Sequence, residues 1–220
     1  MCMKNPPRYQ DYVIKDGKFI GDFEGMYKNF DDPWHQSRQD HIFDSRRQLA
    51  LLACARLKAT HDVSKVIELG CGFGFLTDKL REQGFSSLGT DISPTSIEKA
   101  KEKNPESQFQ VADYNDFNLM NSFNPDIIIM AELTWYVLDS LEDYISRLKS
   151  YALLREKPTF FIHLLATYEK GVQKYGSDKF TNLDEILAYF NMQYLETGFI
   201  KTQREDDEKS QGTYFIAKLS

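Results

Sequence analysis

Glycine stands at every second position in Gly70, Gly72 and Gly74, directly after the apolar run Val66-Ile-Glu-Leu69. This is the pattern in the chain with the clearest chemical meaning. Glycine turns the backbone sharply and lets a ligand lie against it. Two acids follow at the ends of later apolar runs, Asp91 and then Asp113 with Tyr114 beside it. A carboxylate about 20 residues beyond such a loop accepts hydrogen bonds from ribose hydroxyls. One at Asp113 has the place to meet the amino group of a base, or else it caps its own turn, as Asp often does. The spacing narrows the ligand further. A dinucleotide fingerprint sets glycines at relative positions one, three and six. Here they fall at one, three and five, and Phe75 takes the sixth. A bulky ring there opposes a pyrophosphate packed on the next helix.

Other residues have the type and place for catalysis. Glu132 follows an apolar run and has the position to orient an acceptor amine or take a proton from a hydroxyl; the competing reading is a brace for its loop. His163 shares a strand face with Phe161 and Leu165 by alternation. It is a candidate general base with an ordinary pKa of ~6.5, or a satisfied core histidine. Tyr27, Trp34 and Tyr136 have faces that attract a cationic ligand, although aromatics more often pack the core. Cys71 lacks a neighbouring His or Cys and reads as a small filler, not a nucleophile. No HExxH, metal-binding carboxylate cluster or Walker loop is present, so no metal is expected.

These residues need elements to hold them. Apolar steps of three and four from Asp40 to Ala59, including Ile42, Leu49, Leu52, Ala53 and Leu57, predict a helix. Strands follow at Val66–Leu69, Leu88–Ile92, Phe109–Ala112, Asp126–Ala131 and Thr159–Leu165. Helices separate them: Phe75–Gln83 closed by Gly84, a helix capped by Ser93 with Pro94 at its first position and stopped before Pro105, and Leu141–Leu154. Asp116 reads as a loop residue. Thr181 with Asp184 looks like a capping box opening a helix to Phe190. The runs Tyr194–Gln203 and Thr213–Leu219 predict an antiparallel hairpin across Arg204–Gly212, with Glu205–Glu208 as a solvated tip. Alternating strands and helices give one doubly wound, Rossmann-like α/β domain over 41–220. Its seven-stranded, mostly parallel sheet has helices on both faces and a C-terminal antiparallel hairpin. Residues 1–40, irregular and rich in Pro, Asp and aromatics, read as an arm or lid over the site. Ligands in such sheets bind at the C-terminal strand ends.

The chain has 220 residues, 41% hydrophobic and 27% charged, enough to build one full core. Its net charge of −6 weighs against nucleic-acid and anionic-membrane partners, which reward excess Lys and Arg. The 3 cysteines, Cys2, Cys54 and Cys71, form no CxxC pair or disulfide framework. No apolar h-region follows Met1, and no apolar run nears the ~18–20 residues of a membrane span. A cytoplasmic protein is expected.

The set Glu68-x-Gly70-x-Gly72-x-Gly74, Asp91-Ile92 and Ala112-Asp113 resembles the class I S-adenosylmethionine-dependent methyltransferases over roughly residues 40–220. The resemblance implies S-adenosyl-L-methionine as cofactor. Gly70 to Gly74 would then run beside its methionine part, Asp91 would hold the ribose, Ile92 would pack on the adenine and Asp113 would meet its edge. Glu68, Cys71, Tyr114, Glu132, Tyr27 and Trp34 complete the expected cofactor-binding set, and Glu132 and His163 are the candidate catalytic pair. Asp32-Pro-Trp34 and Ala131-Glu-Leu-Thr-Trp-Tyr136 look like the nodulation-type methyltransferases, which act on the amine of a sugar-derived acceptor. The implied activity is methyl transfer to an N or O atom of a small molecule. Its rivals are a cofactor-binding regulatory subunit without turnover and an NAD-dependent oxidoreductase, the latter opposed by Phe75. Base methylation is opposed by Ala131–Tyr136, which lacks the Asn/Asp-Pro-Pro-Tyr/Phe sequence used on many base amines.

Overall fold

The computed structural model describes residues 8–37, 41–168, 175–200 and 210–219. The main sheet is built from β3 (Lys65–Leu69), β4 (Ser86–Asp91), β5 (Gln108–Val111), β6 (Ile127–Ala131), β7 (Phe160–Tyr168), β8 (Gln193–Ile200) and β9 (Ser210–Lys218). Its order is β5-β4-β3-β6-β7-β9-β8. Strands β3 to β7 run parallel, and β9 is antiparallel to both β7 and β8. The doubly wound sheet expected from the sequence is therefore present, terminal hairpin included. The chain order reverses between β3 and β6, so the crevice above their C-terminal ends is the natural ligand site.

Alternation along the strands sorts the core into two layers. Ile127 and Ile129 face α3 (His41–Thr60) and α4 (Phe75–Glu82) with Val66, Phe160 and Ile162. Ile128 and Met130 face α6 (Phe117–Phe123), α7 (Leu141–Leu153) and α8 (Leu183–Phe190) with Ile67, Phe161 and Phe215. Helix α3 buries Ala50, Ala53, Cys54 and Leu57; Leu52, expected on that face, is exposed.

Local chemistry sets the boundaries. Ser93 caps α5 (Pro94–Lys103) by accepting from the Ser96 N–H, Pro94 opens the helix, and Asn104 ends it. Asp116 is a cap, not a plain loop residue: it accepts from the Leu119 N–H and starts α6, a helix the sequence reading left out. The cap of α8 is Asn182, one residue beyond the expected Thr181, and Glu185 returns its carboxylate to the Thr181 N–H at 2.6 Å. Residues 8–37 form α1 (Gln10–Val13), a two-stranded ribbon of β1 (Ile14–Lys15) and β2 (Lys18–Phe19), and α2 (Phe23–Asn29). The expected features at residues 1–7, at 169–174 and at the hairpin tip 204–209 lie outside the described residues.

At the edge opposite the crevice, Asp126 ties three segments together. Its Oδ2 accepts from the Ser64 and Lys65 N–H groups at 2.8 and 3.0 Å. Its Oδ1 accepts from Arg155 Nη2 at 3.0 Å, and both side chains are buried. Breaking a buried pair strands a charge, at about 3–5 kcal/mol. Asp126→Ala should therefore lose about that much stability in urea unfolding, and a loss under ~1 kcal/mol would contradict this role.

Candidate functional site

Gly70, Gly72 and Gly74 all have positive φ, at 71°, 55° and 75°. At Gly74 space also demands glycine, since a Cβ there would overlap the Phe109 ring; one on Gly72 would push aside the end of the Gln36 side chain. The loop between β3 and α4 is held through its backbone. Cys71 N–H donates to Thr90 O (2.8 Å), Gly72 N–H to Asp91 Oδ2 (3.0 Å) and Phe73 N–H to Gln36 Oε1 (2.9 Å). Ser96 Oγ donates to Gly72 O at 2.8 Å, and Asn104 Nδ2 to Phe73 O at 2.9 Å.

Asp91 ends β4 and binds in two directions. Oδ2 takes the Gly72 N–H, while Oδ1 takes the Ser93 N–H at 2.9 Å. Burial pushes its carboxyl up to about 6 in spite of these donors. Glu68, enclosed under the loop, is hydrogen-bonded by the Thr77 hydroxyl, and burial pushes it up to about 7. Cys71 is fully buried against Ile97, Ala100 and Phe109, and burial pushes its thiol well up. It is a filler, reactive toward nothing in this setting.

A cavity of about 820 Å³ opens over these strand ends, within the ~300–1,000 Å³ range of small-molecule sites. It brings together Glu68, Gly70, Cys71, Asp91, Ile92, Asp113, Tyr114 and Glu132 with Tyr27 and Trp34 of the N-terminal segment. Ile92 is 55% exposed, an apolar surface beside Asp91. Asp113 Oδ1 accepts from the Asn115 N–H at 2.8 Å, so it caps its turn while still lining the cavity. The Tyr114 hydroxyl meets Ser140 Oγ. Trp34 lies 5.7 Å from the Tyr136 ring, and Phe23 packs edge-on to Tyr136 at 5.4 Å. Trp135 is fixed in the wall by Nε1 donating to Ala166 O at 2.8 Å.

The two candidate catalytic residues part company here. Glu132 faces the cavity with a backbone φ of 58°. Its Oε1 accepts from Arg46 Nη1 and its Oε2 from the Ala166 N–H at 3.0 Å. His163 is a correction. It is fully buried, outside the cavity lining, stacked on Phe215 and tilted against Phe190, each at 4.8 Å. Nε2 contacts Thr134 Oγ1 at 2.6 Å, and burial pulls the ring down to about 3. A histidine that stays neutral inside an aromatic core takes no proton from an acceptor, so the core alternative holds.

Three site residues carry no motif. Gln36 clamps the glycine loop by accepting from Phe73 N–H, and its own carbonyl accepts from Arg47 Nη2 at 2.7 Å. Glu24 ties α2 to the start of α5: it accepts from Ser93 Oγ (2.6 Å), Thr95 N–H (3.1 Å) and Thr95 Oγ1 (2.8 Å). Against partial desolvation, these bonds hold its carboxyl down at about 2. Arg46 is the third, through Glu132. The Arg46-Arg47 pair early in α3 was the available signal, since it sets two cations beside the expected site.

Residues 67–156 match the family model described as a methyltransferase domain. Nodulation protein S of Rhizobium tropici is 23% identical over 183 residues, which cover 81% of this chain and 72% of that protein. Among solved structures, N-methyltransferase NodS from Bradyrhizobium japonicum WM9, in complex with S-adenosyl-L-homocysteine, superposes with a TM-score of 0.62 at 17% identity, covering 88% of this chain and 97% of that one. Magnesium protoporphyrin IX methyltransferase from Synechocystis PCC 6803, with bound SAM, gives 0.52 at 20% identity over 81% and 82%. At these identities the structures speak for the fold. With the family model and the curated relative beside them, residues 67–156 are a methyltransferase domain, and the chain resembles the class I S-adenosylmethionine-dependent methyltransferases of the nodulation type.

Proposed function

We propose that the protein methylates an N or O atom of a small-molecule acceptor, with an amine on a sugar-derived acceptor as the reading best supported. The observation that carries it is the cavity that joins Asp91 at the end of β4 to Glu132 at the end of β6 beneath an aromatic arm. The donor set fits S-adenosyl-L-methionine. Each Asp91 oxygen keeps an acceptor site after its one backbone bond, which suits a pair of ribose hydroxyls. Ile92 offers an exposed apolar face for adenine, and Asp113 keeps Oδ2 for its edge. Gly70 supplies backbone without a side chain, with Glu68, Cys71 and Tyr114 around it, whereas Gly72 and Gly74 shape the loop from outside the lining. Phe75 in the sixth position of the glycine pattern counts against a nicotinamide dinucleotide.

When bound, the cofactor supplies a methyl carbon on a positively charged sulfur; that bond breaks as the acceptor–carbon bond forms, and its electron pair stays on sulfur. The chain aligns the reactants and excludes water, which is worth up to ~7–11 kcal/mol of barrier. Tyr27, Trp34 and Tyr136 offer ring faces to a cation. Residues 8–37, as part of the 1–40 arm, serve as the lid, and 41–220 carry the cofactor. Glu132 receives the hydrogen of the acceptor amine or hydroxyl and is placed to take its proton. The net charge of −6 supports a small molecule over nucleic acid as partner. Buried free Cys54 and Cys71 suit a cytoplasmic setting. Among the described residues no helix is long and apolar enough to cross a membrane.

Radiolabelled methyl transfer from S-adenosylmethionine to glucosamine tests the reading. Transfer that is absent with N-acetylglucosamine is expected. Cofactor binding with no transfer to either would favour the regulatory subunit instead. The titration of Asp91 adds a second check. A carboxylate accepts from ribose hydroxyls better than the acid does, so affinity for S-adenosylhomocysteine should fall as pH drops through about 6. Asp91→Asn should weaken binding about 10–100-fold at pH 7.5 and flatten that dependence. A variant that binds as wild type would contradict the assignment.

A further inference from the structure

We propose that Arg46 is the positioning residue of this methyl transfer: it aims the Glu132 carboxylate into the cavity and cancels its charge, so that the site holds the acceptor amine in its neutral form. The proposal rests on the reading above and deepens it by assigning the state in which the acceptor binds.

Glu132 sits in a conformation that side chains rarely adopt, with φ at 58°. A turn alone would be better served by Gly or Asn. The residue is held there from both ends. Its N–H donates to Leu164 O at 2.8 Å, and its Oε2 accepts from the Ala166 N–H, so one side chain spans the frayed end of the β6–β7 pairing. Arg46 then fixes Oε1 from α3. The two partners differ in exposure: the Arg46 side chain is 16% exposed and that of Glu132 39%. Both side chains line the cavity, and the carboxylate is the more exposed of the two. The pair Asp126–Arg155 is the contrast, since it is sealed at 8% and 7% and only ties the segment after α7 to the start of β6. Each Glu132 oxygen retains one acceptor site beyond its present bond.

The charge matters to the chemistry. An isolated carboxylate favours the ammonium form of a nearby amine, and an ammonium has no lone pair with which to attack carbon. A guanidinium bound to that carboxylate offsets its field while leaving its acceptor sites free. The phenols of Tyr9, Tyr136 and Tyr168 stand near Glu132, and Arg47, Glu68, Asp91, Asp113 and His35 line the same cavity. Burial pushes the Tyr136 phenol up, which keeps it neutral. The Glu132–Arg46 pair itself sums to zero, which suits a neutral amine donating a hydrogen bond to Glu132.

The test compares wild type, Arg46→Met and Arg46→Lys. S-adenosylhomocysteine affinity is measured by calorimetry, and methyl transfer to glucosamine is measured with kcat and KM separated. Arg46→Met should keep cofactor affinity within about twofold and lose about 10²-fold in kcat, the size expected of a misplaced reacting group. Arg46→Lys keeps the charge without the fork and should recover part of that loss. Full turnover in Arg46→Met would overturn the proposal, as would a loss confined to cofactor affinity. Wild-type protein that binds the cofactor product but never methylates glucosamine would overturn it while the cofactor site stands. Failure of the wild type to bind S-adenosylhomocysteine would overturn the cofactor reading itself, and this inference with it.

Discussion

The structure turns on one buried carboxylate. Asp91 accepts the Gly72 N–H on one oxygen and the Ser93 N–H on the other. Three segments meet there: the loop after β3, the end of β4 and the start of α5. Unpaired buried polar groups are costly, at ~1–3 kcal/mol each, so the loop cannot shift without stranding the acid or the N–H groups it serves. The same carboxylate is the polar anchor of the cavity. Its enclosure pushes its titration up to about 6, within reach of ordinary conditions. In the proposed function, structural and ligand-holding duties fall on the same two oxygens.

The N-terminal segment is bound to this centre by complementary polar contacts as much as by its aromatics. Glu24 satisfies donors at the N-terminal end of α5, where a negative charge is favoured by the helix dipole. Lys99 answers from α5 by donating to the Tyr27 and Phe30 carbonyls at 2.7 and 3.1 Å. Gln36 reaches the glycine loop at the point where Gly72 leaves room for it. The arm therefore braces the glycine loop and the start of α5, while Trp34 packs on Tyr136 after β6.

Much of the fold was legible in the sequence because its signals are local. The β-branched run before Gly70, the Ser93-Pro94 start and the Gly84 stop each act within a few residues, and each sits where expected. The apolar run Ile127–Met130 marks its strand the same way. Local signals also misled by small steps. Asn182 took the cap from Thr181, and α6 was passed over because its seven residues, held by Asp116 and closed by left-handed Asn124, lack a long period. The site was half legible. Asp91 and the glycines follow from spacing and Ile92 from the family resemblance, whereas Glu24, Gln36 and Arg46 act on residues 69, 37 and 86 positions away. No spacing rule reaches that far. His163 shows the reverse limit: its strand was read correctly and its face also, but only the Phe190 and Phe215 rings packed against it reveal that the face is closed.

The central claim is that Asp91 holds the cofactor from the floor of this cavity. A crystal structure of the protein with S-adenosylhomocysteine bound tests it most directly. The account predicts both ribose hydroxyls within hydrogen-bond distance of the Asp91 carboxylate, the adenine on Ile92, and the sulfur directed toward Glu132. A ligand whose ribose lies away from Asp91, or whose sulfur points away from the Glu132–Arg46 pair, would contradict it.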